Sequence, residues 1–373
     1  MFVKELHRSA CGLALFLAAA PLLAHHNLTA KFNPANTRAL NGIVTGLSWA
    51  NPHVHVLMDV VEGNTVTNWA VELESTLDLE RSGWSDDTLK PGDEITVQGI
   101  TSRDGSPQIW GESVIVAATG ARVLDVSEAA WAALRPGDLP VRPVHRWPDG
   151  QPRLGPLPGQ KGYWGRPSST VLMEAGANVA MNAHGLLDNI ADVDRVAPFQ
   201  DWARAIYEYR QSTFLVSDPM FQHCAPPGAV RALQSVYGFQ FLEQRELGRI
   251  FVVEGGGNRM WHFIYTDGRP QVGELTGNDT NPLYYGNARG HWEGDTFVVD
   301  SKGINEKFWL TGGLPHTEQL HIVEQFTRTD FSTLQYEVTI DDPGAYTRPW
   351  SAGWTLQWVP EDLPTYFCQD NRP

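Results

Sequence analysis

The C-terminal half of the chain is patterned for an antiparallel sheet of many short strands. Apolar and polar residues alternate in eight segments, most of them separated by tight turns such as Glu246-Leu247-Gly248 and Glu293-Gly294-Asp295. The segments span 239–246, 249–255, 259–266, 285–293, 296–302, 319–329, 333–341 and 352–359. Eight strands in simple order favour an up-and-down barrel, which leaves no free edge and can enclose one small ligand. The alternative is a curved open sheet packed on the preceding helix.

The N-terminal half has a different order of elements. Five strand-like segments cover 39–48, 53–61, 65–73, 94–99 and 108–116. A helical patch lies between the third and fourth segments, with Ser75 as a capping residue and Gly83 at its end. Three strands, a helix and two further strands is the order of an OB-fold barrel. The chain is therefore expected to be mainly β, with an OB-like small barrel followed by an eight-stranded antiparallel barrel.

The domain boundaries follow from these patterns. Residues 1–24 read as a signal peptide, 25–119 as the OB-like domain and 120–195 as an irregular linker rich in Pro and Gly. Residues 196–373 form a helix plus an antiparallel barrel of the lipocalin type. The helix covers 198–211, with Phe199 and Trp202 expected to contribute to the core.

The first residues predict export. Lys4 and Arg8 form a basic region, an apolar run follows, and Leu22-Leu23-Ala24 is an acceptable cleavage site. We expect a periplasmic or secreted protein without membrane insertion, since no later run has the eighteen or so apolar residues of a membrane span. The formal net charge of −15 argues against a nucleic-acid partner. The sequence carries no signal for an oligomeric state.

The cysteine count agrees with an oxidising compartment. Cleavage removes Cys11 and leaves Cys224 and Cys368, for which one disulfide is the default. It would hold the C-terminal tail against the start of the last domain. Two buried thiols are the alternative.

Several short motifs resemble a family of uncharacterised exported bacterial proteins, a domain of unknown function, over residues 25–117. They are His25-His26, Gly42-Ile43-Val44, Asn51-Pro52-His53, Gly83-Trp84 and Lys90-Pro91-Gly92-Asp93. Later segments resemble a β-rich module found in similar exported proteins: Tyr265-Thr266-Asp267-Gly268-Arg269, Trp292-Glu293-Gly294-Asp295-Thr296, Asp341-Asp342-Pro343 and Tyr346-Thr347-Arg348-Pro349-Trp350. The resemblance implies domain boundaries and export, and it implies no mechanism.

Histidines near the new N-terminus form a candidate metal site. Cleavage after Ala24 would give His25 both a free amine and an imidazole, and strand periodicity puts His53 and His55 on one face, about 7 Å apart. Such a nitrogen set favours copper, the one cofactor that the sequence suggests. The alternative is a frayed polar terminus, a turn-capping His53 and a solvent-facing His55.

The sixth predicted barrel strand contains a candidate acid–base residue. Glu324 falls on the otherwise apolar face of this strand, where a carboxyl group must pair with a cation or stay protonated. Arg289 is the expected partner if it points inward. His316 lies just before the strand, and Tyr265 falls on the face of the third strand opposite to His262. A buried Arg–Glu pair with a purely structural role is the alternative.

The barrel segments are also rich in aromatic residues. We expect these to line a cavity for a small apolar or aromatic molecule, and they include Trp261, Trp292, Tyr336 and Trp354. The function favoured by the sequence is small-molecule binding in the barrel, with acid–base catalysis of the isomerase, lyase or hydrolase type. Two alternatives are an exported copper-binding protein and a non-catalytic structural or partner-binding module.

Overall fold

The computed structural model describes residues 31–50, 53–81, 83–125, 142–165, 167–181, 185–235, 237–257, 261–271 and 282–367. The chain is mainly β, with a closed C-terminal barrel and a separate N-terminal sheet, which confirms the predicted fold class. The predicted signal segment, His25 and Cys368 lie outside the described residues.

The N-terminal sheet contains the predicted sequence of three strands, a helix and two strands, followed by a sixth strand within the predicted linker. Its elements are β1 (Phe32–Ser48), β2 (His55–Glu62), β3 (Thr65–Glu72), α1 (Thr76–Arg81), β4 (Glu94–Ser102), β5 (Gln108–Val116) and β6 (Ala121–Asp125). Neighbouring strands follow the order β3-β2-β1-β4-β5-β6, and β5 also pairs with β3 in parallel. This extra pairing closes β1 to β5 into a small barrel of OB-fold order, with α1 between β3 and β4.

Apolar and polar residues alternate along these strands, and the apolar ones give the N-terminal barrel its own core. Val56 and Met58 of β2, Val71 of β3 and Val97 of β4 are all buried in one apolar cluster. The barrel also requires a glycine at position 99, where the register of β4 and β5 shifts. A Cβ atom there would lie 1.8 Å from the carbonyl oxygen of Trp110, so the two backbones can approach only without a side chain.

The C-terminal barrel contains nine strands. The elements of this region are β7 (Tyr163–Gly165), β8 (Phe239–Gln244), β9 (Arg249–Glu254), β10 (Gly256–Gly257), β11 (Trp261–Tyr265), β12 (Asn287–Glu293), β13 (Thr296–Lys302), β14 (His321–Arg328), β15 (Thr333–Asp341), β16 (Trp350–Val359) and β17 (Tyr366–Phe367). All belong to the barrel except β10 and β17, which pair with each other in parallel.

Two features differ from the eight-stranded antiparallel prediction. The ninth strand, β7, lies within the predicted linker and joins β16 to β8. Three residues are too short to show a period, so alternation could not reveal β7. In addition, β11 and β12 pair in parallel, because a long connection rather than a hairpin turn joins them.

Short helices lie between β7 and β8. They are α2 (Val193–Val196), α3 (Asp201–Ser212), α4 (Pro219–His223) and α5 (Ala229–Ala232). The helix α3 buries Ala203 and Tyr207, but Trp202 is 46% exposed, so the expectation that Trp202 belongs to the core is wrong. Its indole instead donates to the carbonyl of Gly344 at the helix surface. In the described part of the chain, every helix is too short or too polar to cross a membrane.

Candidate functional site

Glu324 lies inside the C-terminal barrel. Burial alternates along β14, and Glu324 is only 5% exposed. Its neighbours across the sheet are Val299 of β13 and Val338 of β15. The hydroxyl of Tyr336 donates a hydrogen bond of 2.8 Å to Oε1 of Glu324. Burial raises the pKa of Glu324, and the hydrogen bond from Tyr336 and the nearby His262 offset only part of this effect.

A second carboxyl group is buried at the end of β9. Glu254 is 1% exposed, and its Oε2 accepts a hydrogen bond of 2.8 Å from the hydroxyl of Tyr285. Nδ1 of His262 lies 3.4 Å from the other oxygen, Oε1. The imidazole of His262 also stacks on the ring of Tyr285, with the centroids 4.5 Å apart. Burial raises the pKa of Glu254, against the opposing effects of His262 and Tyr285.

His262 connects the two carboxyl groups. It lies opposite Val252 in the pairing of β11 with β9, on the inner face of the barrel. Its imidazole acts electrostatically on both Glu254 and Glu324. Within the described residues, no lysine or arginine forms an ion pair with either carboxyl group. We call this set the interior cluster: Glu254, His262, Tyr285, Glu324 and Tyr336.

Several buried polar atoms near the interior cluster have no hydrogen-bond partner among the described residues. Oε1 of Glu254 and Nδ1 of His262 belong to the cluster itself, and Nε1 of Trp354 and Oγ of Ser301 lie on neighbouring strands. The ring of Trp354 packs 4.5 Å from that of Tyr336. Each of these atoms therefore keeps unused hydrogen-bonding capacity inside the barrel.

Arg289 does not reach the interior cluster. Ala288 of β12 is buried, so the next residue, Arg289, points away from the barrel interior. Its Nε donates to the carbonyl of Pro270, and its guanidinium lies 5.4 Å from the ring of Tyr265. The predicted pairing of Glu324 with Arg289 is therefore wrong, since the direction of β12 side chains depends on a register that the sequence did not fix.

The other two predicted acid–base residues also lie elsewhere. Tyr265 is on the outer face, where its ring packs against Phe263 and the guanidinium of Arg269. His316 is buried, but its Nε2 lies 3.2 Å from the carbonyl oxygen of Phe308. Burial lowers the pKa of His316. Neither residue contacts Glu324 in the described structure.

The predicted aromatic lining is divided between the two faces of the barrel. Tyr336 and Trp354 are buried inside, and Trp292 packs half-buried on Phe297. Trp261 is 51% exposed on the outer face. The structure thus brings Glu324, Tyr336 and Trp354 together and separates Trp261 from them.

Sequence reasoning did not single out Glu254, and it assigned no site role to Tyr285 or His262. Alternation in β9 does give a signal for Glu254, because it falls on the same face as the buried Ile250 and Val252. Tyr285 begins the predicted strand 285–293, but the strand itself starts at Asn287, so alternation gave no valid direction for the Tyr285 side chain. Its position follows from the long connection between β11 and β12.

The histidines of the N-terminal barrel converge on a buried carboxylate. Nδ1 of His53 lies 2.6 Å from Oε1 of Glu72, and Nε2 of His55 lies 3.6 Å from Oε2. Lys31 completes the group, with Nζ 2.6 Å from Oε2. Burial opposes ionisation of Glu72, but the two imidazoles and Lys31 outweigh it and hold its pKa well below the ordinary value.

This arrangement is an ion-pair cluster. Among the described residues, no group of three His, Cys, Asp or Glu side chains is placed to hold a metal ion. The ammonium of Lys31 pairs with the same carboxylate, 2.6 Å from its Oε2. The copper hypothesis remains a prediction that depends on His25, outside the described residues.

Comparison with known proteins finds one family. A family of unknown function (DUF6152) matches residues 14–109. Over this range the chain is similar to that family, in agreement with the predicted resemblance to a domain of unknown function. The matched range ends at the beginning of β5 and includes no part of the C-terminal barrel. No curated protein matches the chain, and no solved structure does.

Proposed function

We propose that the C-terminal barrel binds a small molecule at the interior cluster and acts on it by proton transfer, as an isomerase, lyase or hydrolase does. One observation carries the proposal: two carboxyl groups, Glu254 and Glu324, are both buried and both interact electrostatically with His262, and neither has an arginine or lysine partner among the described residues. Buried charged groups are costly, and a fold keeps them mainly where their chemistry is used.

The cluster supplies groups suited to acid–base chemistry. A carboxyl group whose pKa is raised by burial remains protonated closer to neutral pH and can act as a general acid. Burial shifts the pKa of Glu324 in this direction. The imidazole of His262 can accept or donate a proton at Nδ1, which has no hydrogen-bond partner among the described residues. A molecule held beside both groups could gain a proton from one and lose a proton to the other.

The proposal can be tested by the binding of a neutral apolar dye, N-phenyl-1-naphthylamine, followed by its fluorescence. Val338→Trp would place a large ring next to Glu324 inside the barrel, because these two residues are opposite each other in the sheet. We expect saturable dye binding by the wild-type protein and a loss of at least about tenfold in affinity in this variant.

A matched control keeps this experiment interpretable. Glu337→Trp adds the same ring on the exposed face of the same strand, β15, and should leave dye binding unchanged. Circular dichroism and thermal unfolding verify that both variants fold. If Val338→Trp does not fold, Val338→Phe takes its place. A barrel that binds no dye, or a Val338→Trp protein that binds it as wild type does, would favour the structural alternative.

The proposal includes export with removal of a signal peptide. Its support is the basic and apolar pattern before Ala24, together with the two remaining cysteines. Cys224 is buried. Gly257 lies close to Pro227, which is three residues after Cys224, since a Cβ atom on Gly257 would be 3.8 Å from Cδ of Pro227. Gly257 pairs with Phe367, the residue before Cys368.

The sequence neighbours of the two cysteines therefore lie close together, as a disulfide requires. N-terminal sequencing and a thiol count on the unreduced, unfolded protein from the native host test both points. We expect a mature chain that starts at His25 and contains no free thiol. Retention of residues before Ala24, or two titratable thiols, would contradict the proposal of export with a disulfide.

A further inference from the structure

Two of the unpartnered atoms around the interior cluster can donate a hydrogen bond. Nε1 of Trp354 can only donate, and Oγ of Ser301 has a proton to donate. The hydroxyls of Tyr285 and Tyr336 already donate to the two glutamates. A molecule that satisfies Trp354 and Ser301 must therefore offer a hydrogen-bond acceptor, such as an oxygen atom.

These donors surround Glu324 on two sides. Ser301 is on the inner face of β13, two residues from Val299, which lies opposite Glu324. On the other side, Tyr336 of β15 bonds to Glu324 and lies opposite Trp354 of β16. A ligand oxygen that accepts a hydrogen bond from Ser301 is thus one strand away from Glu324, the proposed general acid, and one that accepts from Trp354 is two strands away.

The charge of the cluster disfavours an ionic ligand. An anion would face two carboxyl groups with no arginine or lysine paired to either in the described residues. A cation would require ionised carboxylates, which burial opposes, and would meet the N–H of Trp354. An uncharged molecule creates no unpaired charge beside these buried carboxyl groups.

We propose that the interior cluster selects an uncharged molecule with a carbonyl-type oxygen, which accepts a hydrogen bond from Trp354 or Ser301 beside Glu324. This inference rests on the proposed function. The apolar body of the molecule would lie against the rings of Tyr336 and Trp354, which pack side by side.

Four aromatic probes of similar size test this selectivity: acetophenone, benzoate, benzylammonium and toluene. Binding is measured by isothermal titration calorimetry on the full chain. We expect acetophenone to bind at least about tenfold more tightly than each of the other three, since only acetophenone offers an uncharged acceptor oxygen.

Two tryptophan variants identify the donor. Trp354→Phe keeps an aromatic ring but removes the N–H, and should weaken acetophenone binding about tenfold while toluene binding stays unchanged. Trp261→Phe makes the same change on the outer face, where Trp261 is half exposed. This variant should bind both acetophenone and toluene as the wild-type protein does. Ser301→Ala removes the other donor and is measured in parallel; we expect at least one of the two donor variants to weaken acetophenone binding while leaving toluene binding unchanged.

The outcomes separate this inference from the proposed function. If neither the naphthylamine dye nor any of the four probes binds, both are contradicted. If the dye or toluene binds but acetophenone has no advantage, or if neither donor variant weakens its binding, only the inference is overturned. Tightest binding of benzylammonium would identify a cation site instead, and tightest binding of benzoate an anion site.

Discussion

At the scale of single residues, the environment of Glu324 has a consequence that pH can reveal. Its pKa is raised from the ordinary value of 4.5 in the folded state, so the folded protein holds a proton that the unfolded chain releases. The free energy of unfolding contributed by this group therefore falls as pH rises above 4.5 and levels off above the raised pKa. Below 4.5 the contribution is complete, because both states are protonated.

Glu324→Gln removes this titration while keeping the shape of the side chain. We expect the variant to gain stability relative to wild type as the pH rises from about 5 to about 8, as measured by urea unfolding at each pH. Glu337→Gln, on the exposed face of the neighbouring strand β15, should show no such trend. Parallel pH profiles for Glu324→Gln and wild type would mean that Glu324 is ionised in the fold.

Glu72 of the N-terminal barrel behaves in the opposite sense. Its pKa is lowered in the folded state. The contribution of Glu72 to the free energy of unfolding is therefore present above pH 4.5 and is lost as the pH falls below that value. Glu72→Gln should cost about 2 kcal/mol near neutral pH, because it weakens the contacts to Lys31 and His53. Chemical denaturation measures this loss, which should shrink as the solution is acidified.

The matched control for Glu72 is Glu62→Gln. Glu62 forms an ion pair with Arg38 on the exposed surface of the same barrel, where such pairs contribute little. Equal costs for the two substitutions would contradict the assignment of Glu72 as a buried anchor of the histidine cluster.

At the scale of elements, the shortest strand of the C-terminal barrel closes it. The strand β7 is buried over all three residues and bridges β16 and β8. Trp164 at its centre is fully buried, donates to the carbonyl of Leu154, and packs edge-on against Trp358. Trp164→Ala should therefore lower the free energy of unfolding by about 3–5 kcal/mol.

Thermal or denaturant unfolding checks this value, with Trp202→Ala as the comparison. Trp202 also donates a hydrogen bond from its indole, but it is 46% exposed on α3, so its replacement should cost less than about 1.5 kcal/mol. A small effect of Trp164→Ala would show that the barrel does not depend on β7 for closure.

At the scale of the whole molecule, the two barrels have separate apolar cores. Leu73 belongs to the N-terminal core and Leu334 to the C-terminal core, and both are fully buried. Replacing either by alanine should cost about 2–5 kcal/mol. In calorimetry, we expect each variant to lower the melting temperature of one transition and leave the other in place. A single transition shifted equally by both variants would indicate one cooperative unit.

Several features of this protein were determined by local sequence alone. Alternation placed Glu324, Ile322 and Phe326 on one buried face, because successive strand residues must point to opposite sides. The order of strands and helix gave the OB-like arrangement, since short connections limit the ways in which such a chain can pair. The match to a family of unknown function agrees with the resemblance found in short motifs.

Only the tertiary structure decided which groups meet. The strand β7 and the parallel pairing of β11 with β12 arise from contacts between segments far apart in the sequence. The pairing of these strands turns Arg289 outward and puts His262 on the inner face, 3.4 Å from Glu254 and within electrostatic reach of Glu324. A strand's period fixes which of its residues share a face, but the pairing partners and the closure of the barrel fix which face is inside and what lies across from it.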